Sequence, residues 1–262
     1  MITYNKKDII RKIVEVAYQR KEGHIPSSLS ILDLMYVAYK DYVIPGSGRF
    51  VLSKGHASLG LYAIMDHFGL LEEDIFSFCK FDSKLGGHPS CRIKGVECST
   101  GSLGHGMPFA LGLAMSEKIL GTSRKVISII GDGEANEGTI WESALIASHH
   151  KVSNLCCILD HNHSTDRALD IGDMVAKFKS FGWMCSETDG HDTESISECI
   201  RCYDSIKSPH FILAHTIKGK GIKIMEGNPE WHHKPPSEEN IKVILESIWK
   251  SAKINNIWES NL

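Results

Sequence analysis

What this chain lacks narrows it first. It has no excess charge of either sign: 29 Lys and Arg stand against 32 Asp and Glu, a formal charge of −3. A balance so close to neutral gives no reason to expect nucleic acid or a membrane surface as a partner. No apolar run approaches the length that crosses a bilayer, and the stretch from Met1 to Lys12 holds no apolar signal core. A cytoplasmic protein is therefore expected. The chain also has no internal repeat, no low-complexity tract and no Pro/Gly/Ser linker or charge run. Its 262 residues are accordingly expected to form one α/β domain, 1–262, with a sizeable core. Apolar residues at 42% and charged residues at 23% are ordinary for a globular protein.

Cysteine is not scarce, but its pattern excludes more than it suggests. The eight are Cys79, Cys91, Cys98, Cys156, Cys157, Cys185, Cys199 and Cys202. Cys156 and Cys157 fall inside an apolar run, where cysteine behaves as a small hydrophobe. Cys199 and Cys202 have C-x-x-C spacing but no second pair to complete a zinc site. Reduced, mostly structural thiols are expected.

The most informative stretch runs from Val126 to Asn162. Val126 to Ile130 is apolar and rich in β-branched residues, as in a buried strand. Gly131-Asp132-Gly133-Glu134 follows as a tight turn with a carboxylate at its tip. Ile140 to His150 then carries Ile140, Trp141, Ala144, Leu145 and Ala147 on a helical face. Leu155 to Leu159 reads as a second buried strand, leading into Asp160-His161-Asn162. A helical crossover returns the chain to its starting edge, so both turns leave the same edge of a parallel sheet. Asp132 and Asn162, 30 residues apart, become neighbours in space. A carboxylate and an amide oxygen suit a hard divalent cation with phosphate beside it. The flanking glycines allow close approach, and the following helix N-terminus favours an anion. Asp-Gly is also a common hairpin turn, but a helix-periodic segment follows where a hairpin needs a strand. A nicotinamide-binding loop would need G-x-G-x-x-G after the first strand, and G-D-G-E-A-N does not supply it.

G-D-G-E followed by D-H-N at this spacing resembles the thiamine-diphosphate motif, and further segments narrow the likeness to the N-terminal, cofactor-binding half of transketolase. These run from Glu22 to about Pro236. They are Glu22-Gly23-His24-Ile25-Pro26, Leu52-Ser53-Lys54-Gly55-His56-Ala57, Gly87-His88-Pro89, Ser99-Thr100-Gly101-Ser102-Leu103-Gly104, Phe181-Gly182-Trp183, Thr188-Asp189-Gly190-His191-Asp192 and Trp231-His232. The resemblance implies a doubly wound, mainly parallel sheet with helices on both faces, the diphosphate-binding (PP-type) form of the thiamine-diphosphate fold. It implies that Asp132, Asn162 and the backbone carbonyl of Ser164 hold Mg²⁺, with Ca²⁺ or Mn²⁺ in its place. It also assigns cofactor contacts to His56, Gly101, Ser102, Leu103, Gly131, Asp132, Gly133, Glu134, Asn162 and His232.

Taken alone, His24 reads as a loop histidine and Glu137 as a first-turn helix glutamate. The resemblance makes His24, His88 and His232 candidates for proton transfer at sugar oxygens, which suits imidazole. It places Glu137 against the catalytic glutamate of a second, pyrimidine-binding domain. His191 reads as structural, and Lys218 and Lys220 as a solvated loop rather than an anion site. The implied activity is transfer of a two-carbon ketol unit from a ketose, free or phosphorylated, to an aldose. The pyrimidine-binding domain is expected on a separate C-terminal subunit, in a heterotetramer. A 2-oxo-acid or specialised biosynthetic thiamine-diphosphate enzyme, and a non-catalytic module of the same fold, stay open beside this.

Helices are expected over Lys7–Gln19, Ile31–Tyr42 with Ser30 as N-cap, Met107–Leu120 and Ser237–Lys250. Strands are expected at Phe50–Leu52 and Phe211–Thr216.

Overall fold

The computed structural model describes residues 3–122, 124–166, 168–202 and 207–258, with side chains placed as far as residue 248. Five strands pair in one parallel sheet: β1 (Gly48–Leu52), β2 (Lys125–Gly131), β3 (Leu155–His161), β4 (Met184–Asp189) and β5 (His210–His215), in the order β1-β2-β3-β5-β4. The main helices are α1 (Lys6–Arg20), α2 (Ile25–Ser30), α3 (Leu32–Ala38), α4 (Ser58–His67), α5 (Gly106–Ile119), α6 (Gly138–His149), α7 (Met174–Ser180), α8 (Thr193–Arg201) and α9 (Glu238–Trp258).

Alternation along the strands sorts the core into two halves. Val126, Ile130, Leu155, Cys157, Leu159 and Phe211 meet α5, α6 and α7 on one face. Ile127, Ile129, Cys156, Ile158 and Ile212 meet α1 to α4, α8 and α9 on the other. Both faces are covered, which is why the central strands read as unbroken apolar runs. From β1 to β3 the chain steps across the sheet in one direction. It then jumps to the far edge for β4 and steps back to β5. A right-handed crossover taken backwards must lie on the opposite face, and α8 lies there.

The register sets the strand ends that build the site. Gly131 pairs with Asp160, and His161 with His215. The segments after β2, β3 and β5 therefore emerge side by side, and Asp132 and Asn162 are neighbours as expected.

Two local expectations need correction. Ser30 does not cap a helix; it is the last residue of α2, a short helix in what read as a loop, and its hydroxyl donates to Asp160 at 2.6 Å. The helix expected over Ile31–Tyr42 is α3 continued by a wider π turn, Tyr39–Val43. The other expected helices appear within a residue or two of their predicted starts.

Phe178 of α7 is fully buried and stacks on Phe211 of β5 with ring centroids 3.9 Å apart and planes within 7°. Phe178→Ala should cost about 3–5 kcal/mol by urea unfolding. A loss under about 1 kcal/mol would mean that this layer is not packed as described.

Candidate functional site

The floor of the site is a buried carboxylate. Asp160, at the end of β3, is wholly inaccessible. It accepts hydrogen bonds from the hydroxyls of Ser30 and Thr216 and, at 2.8 Å, from the amide nitrogen of Asn162. It is also ion-paired with Lys54, itself only 3% exposed. Burial would raise the Asp160 carboxyl, but Lys54 and the hydroxyl donors outweigh it and hold the group below its ordinary value. The amide nitrogen of Asn162 is thus spoken for by Asp160 and by Ser30 at 3.0 Å, which leaves its oxygen free to accept.

That oxygen meets Asp132. The backbone N–H of Ser164 donates to Asp132 Oδ2 at 2.7 Å and to Asn162 Oδ1 at 3.1 Å. The Ser164 hydroxyl and the Gly133 N–H donate to Asp132 Oδ1 at 3.0 and 2.8 Å. One carboxylate and one amide oxygen, from turns adjacent in the sheet, converge on one segment. Such a donor set fits a hard cation that retains water and takes its remaining oxygens from a ligand phosphate.

Glycines bring a third loop against this one. Gly101 sits at φ +145°, where an added Cβ would also press on the His88 ring at 3.1 Å. At Gly55 a Cβ would lie 2.9 Å from the Gly101 nitrogen, so only glycine lets the loop after β1 reach the Thr100–Gly104 turn. Glu134 clamps the three segments. It is 2% exposed and accepts from Ser53 Oγ at 2.5 Å, Gly104 N at 2.8 Å and Gly131 N at 3.2 Å. Burial pushes its carboxyl up against these donors. Ser102 Oγ lies 3.3 Å from His105 Nδ1, and Leu103 is 42% exposed. Glu137 is exposed at the start of α6.

Over the floor stands a cluster of imidazoles. His24 lies 5.2 Å from His56 and 5.3 Å from His232 between ring centroids, and His56 and His232 are 6.0 Å apart. Burial, reinforced by neighbouring positive groups, pulls His24 down to about 4 and His56 to about 2. Both rings are therefore neutral at physiological pH. His88 is exposed and touches Gly101 rather than these rings, though it adds to the repulsion that lowers His24. The expectation that Lys218 is solvated does not hold. It is 9% exposed and its Nζ lies 2.8 Å from His232 Nδ1. Because Lys218 donates, His232 Nδ1 accepts and its Nε2 carries the proton. Lys218 lines a cleft of about 490 Å³ together with Asn162, His163, Ser164, Asn228 and His232.

Lys54, Asp160, Thr216, Lys218 and the Glu22–His233 pair (2.5 Å) were not foreseen as site residues. The signal for Lys218 was its position just past a buried strand that ends beside β3. His191 is structural as expected. Its Nε2 accepts from Ile217 N at 2.8 Å, and its Nδ1 faces buried Asp33 at 3.3 Å.

Comparison with known proteins agrees with this geometry. A family model described as the transketolase thiamine diphosphate binding domain matches residues 7–255. An apulose-4-phosphate transketolase subunit from Phocaeicola vulgatus is 35% identical, over 94% of this chain and 94% of its own. The subunit of the same name from Actinobacillus succinogenes is 36% identical over 92% and 94%. Human transketolase is 35% identical over 88% of this chain but only 39% of its own. Among solved structures, transketolase from Campylobacter jejuni superposes with a TM-score of 0.81 at 27% identity, covering 93% of this chain and 42% of that one. This chain thus spans under half the length of the transketolase structures it matches.

Burial, followed by the charge of Lys54, lowers the Lys218 ammonium from 10.5 to about 8. Between those values the folded chain has released this proton while the unfolded chain still holds it. Stability from this group should therefore be flat below about pH 8 and rise with pH from there to 10.5. Urea midpoints from pH 7.5 to 10 should climb more steeply in the native chain than in Lys218→Met. Parallel curves would mean that Lys218 is solvated after all.

Proposed function

This chain belongs to the transketolase family as its thiamine-diphosphate-binding domain, and on that premise we propose that it is one subunit of a split transketolase. The observation that carries the proposal is likeness to two relatives that are themselves named as transketolase subunits, at 35% and 36% identity over 94% and 92% of this chain. In this reading it works in the cytoplasm with a second subunit that supplies the pyrimidine-binding domain, in a heterotetramer. Its substrates in this reading are a ketose donor, free or phosphorylated, and an aldose acceptor; the names of those two relatives carry a sugar phosphate.

Thiamine diphosphate, when bound, offers the electron sink needed to break a carbon–carbon bond beside a ketose carbonyl. The protein's contribution is position and proton management. Asp132 and Asn162 Oδ1, with the Ser164 carbonyl, would hold Mg²⁺ beside the diphosphate. Lys218 and His56 would supply N–H donors for the diphosphate, and the loop Gly101-Ser102-Leu103 would line the ring system. Glu134 acts through the Gly104 and Gly131 backbone that it clamps. His24 and His232 stand over the cleft as neutral imidazoles that take or give a proton at sugar hydroxyls. His88 approaches from the Gly101 side, and Glu137 faces the partner subunit.

An apolar surface supports the partner assignment. Helices α5 and α6 pack on each other, and both turn large side chains outward: Phe109 and Ile119 on α5, Leu145 and Ile146 on α6, at 40%, 82%, 58% and 43% exposure. We take this pair of helices, with its exposed apolar side chains, as the face that meets the partner.

Asp132→Ala should weaken thiamine diphosphate binding in the presence of Mg²⁺ by at least about tenfold in calorimetry. Unchanged binding would remove Asp132 from the cation site. Leu145→Glu with Ile146→Glu should abolish co-elution with the pyrimidine-binding subunit and leave the fold intact by circular dichroism. Undiminished co-elution would place the partner on another face.

A further inference from the structure

A second set of ligand-type side chains lies beside the oxygen-donor site, outside the residues assigned above. His161, His163 and Asp166 flank Asn162 and Ser164 in the segment that leaves β3, and their ligand atoms all lie within 4.8 Å of one another. His163 Nδ1 is 2.8 Å from Asp166 Oδ2. The His161 and His163 rings are 4.1 Å apart and inclined by 47°. The Nδ1 of His161 is buried and has no hydrogen-bond partner. A buried imidazole nitrogen without a partner is costly, and in a native protein it calls for an explanation.

We propose that His161, His163 and Asp166 bind a divalent cation of the zinc class, at a site distinct from the Asp132–Asn162–Ser164 position. Two imidazoles and one carboxylate form a borderline donor set that suits zinc and its transition-metal neighbours, whereas Mg²⁺ requires oxygens. Three protein ligands leave at least one coordination position for water. The inclination of the two rings matters because each lone pair lies in its ring plane, and inclined planes let two lone pairs meet at one ion. The other His/carboxylate cluster among the described residues, Glu22, His24 and His233, fails this condition. Its two rings are stacked 4.2 Å apart at 19°, so their lone pairs lie in separate, nearly parallel planes and do not meet at one ion.

Occupancy would tie down the residues on either side of Asn162 and Ser164, and so stiffen the loop that presents them. The inference stands independently of the transketolase reading, since it concerns only metal binding by this chain. In the test, metal-free protein without thiamine diphosphate is titrated with Zn²⁺ against a chromophoric chelator, and Co²⁺ absorption is followed in parallel. One equivalent should bind, and a large excess of Mg²⁺ should not displace it. His163→Ala and Asp166→Ala should each lower the affinity at least about tenfold, while His233→Ala should leave it unchanged. His163 and Asp166 are exposed, so neither change threatens the fold, and circular dichroism checks this. Absence of saturable binding overturns the proposal. So does binding that survives both substitutions or is lost in His233→Ala.

Discussion

The site depends on one buried ion pair, Lys54 with Asp160. Neither side chain reaches solvent to any useful extent, and an unpaired charge at that depth would cost several kcal/mol. The pair is therefore compulsory once either residue is present. It joins the segment after β1 to the end of β3, and Asp160 draws in Ser30 from α2 and Thr216 from beyond β5. Four parts of the chain thereby meet at one carboxylate. The consequence above it is chemical. With its nitrogen committed to Asp160 and Ser30, Asn162 presents its oxygen toward Asp132. A carboxylate buried under the floor thus orients the amide at the surface of the site.

The same economy governs charge in the cleft. Lys54 neutralises Asp160, whereas Lys218 has no carboxylate in direct contact among the described residues, and burial and the charge of Lys54 hold its ammonium below its ordinary value. The imidazoles around it stay neutral because burial and each other's charge oppose protonation. A diphosphate brings the missing negative charge, and Lys218 is the residue whose charged form it would favour further. An anion-binding cleft built this way is electrostatically incomplete without its ligand, which is a common design where binding, rather than stability, is selected.

Much of this was legible in the sequence, and the exceptions have physical causes. The runs Val126–Ile130 and Leu155–Leu159 announce central parallel strands because both of their faces are buried. Asp132 and Asn162 follow from those strands by register alone. Strand β4 gives no such signal: it lies at the sheet edge, and Met184, Glu187 and Asp189 are exposed, so it carries no apolar run. Ser30 and Thr216 are invisible to local reading for another reason. Their shared partner Asp160 lies 130 residues from the first and 56 from the second, and periodicity carries no information over such distances. Lys218 looked solvated because glycines surround it. What buries it is the Asn228–His232 segment folding back across the cleft. The roles of His24, His56 and His232 came from family resemblance, and the structure adds that the three rings stand together.

The most direct test of the central claim is a ketol-transfer assay with thiamine diphosphate and Mg²⁺, run on this chain, on the subunit bearing the pyrimidine-binding domain, and on the two mixed. The account predicts turnover only in the mixture, because under the proposal this chain would hold the diphosphate and cation and the other subunit would complete the site. Turnover by this chain alone would contradict it.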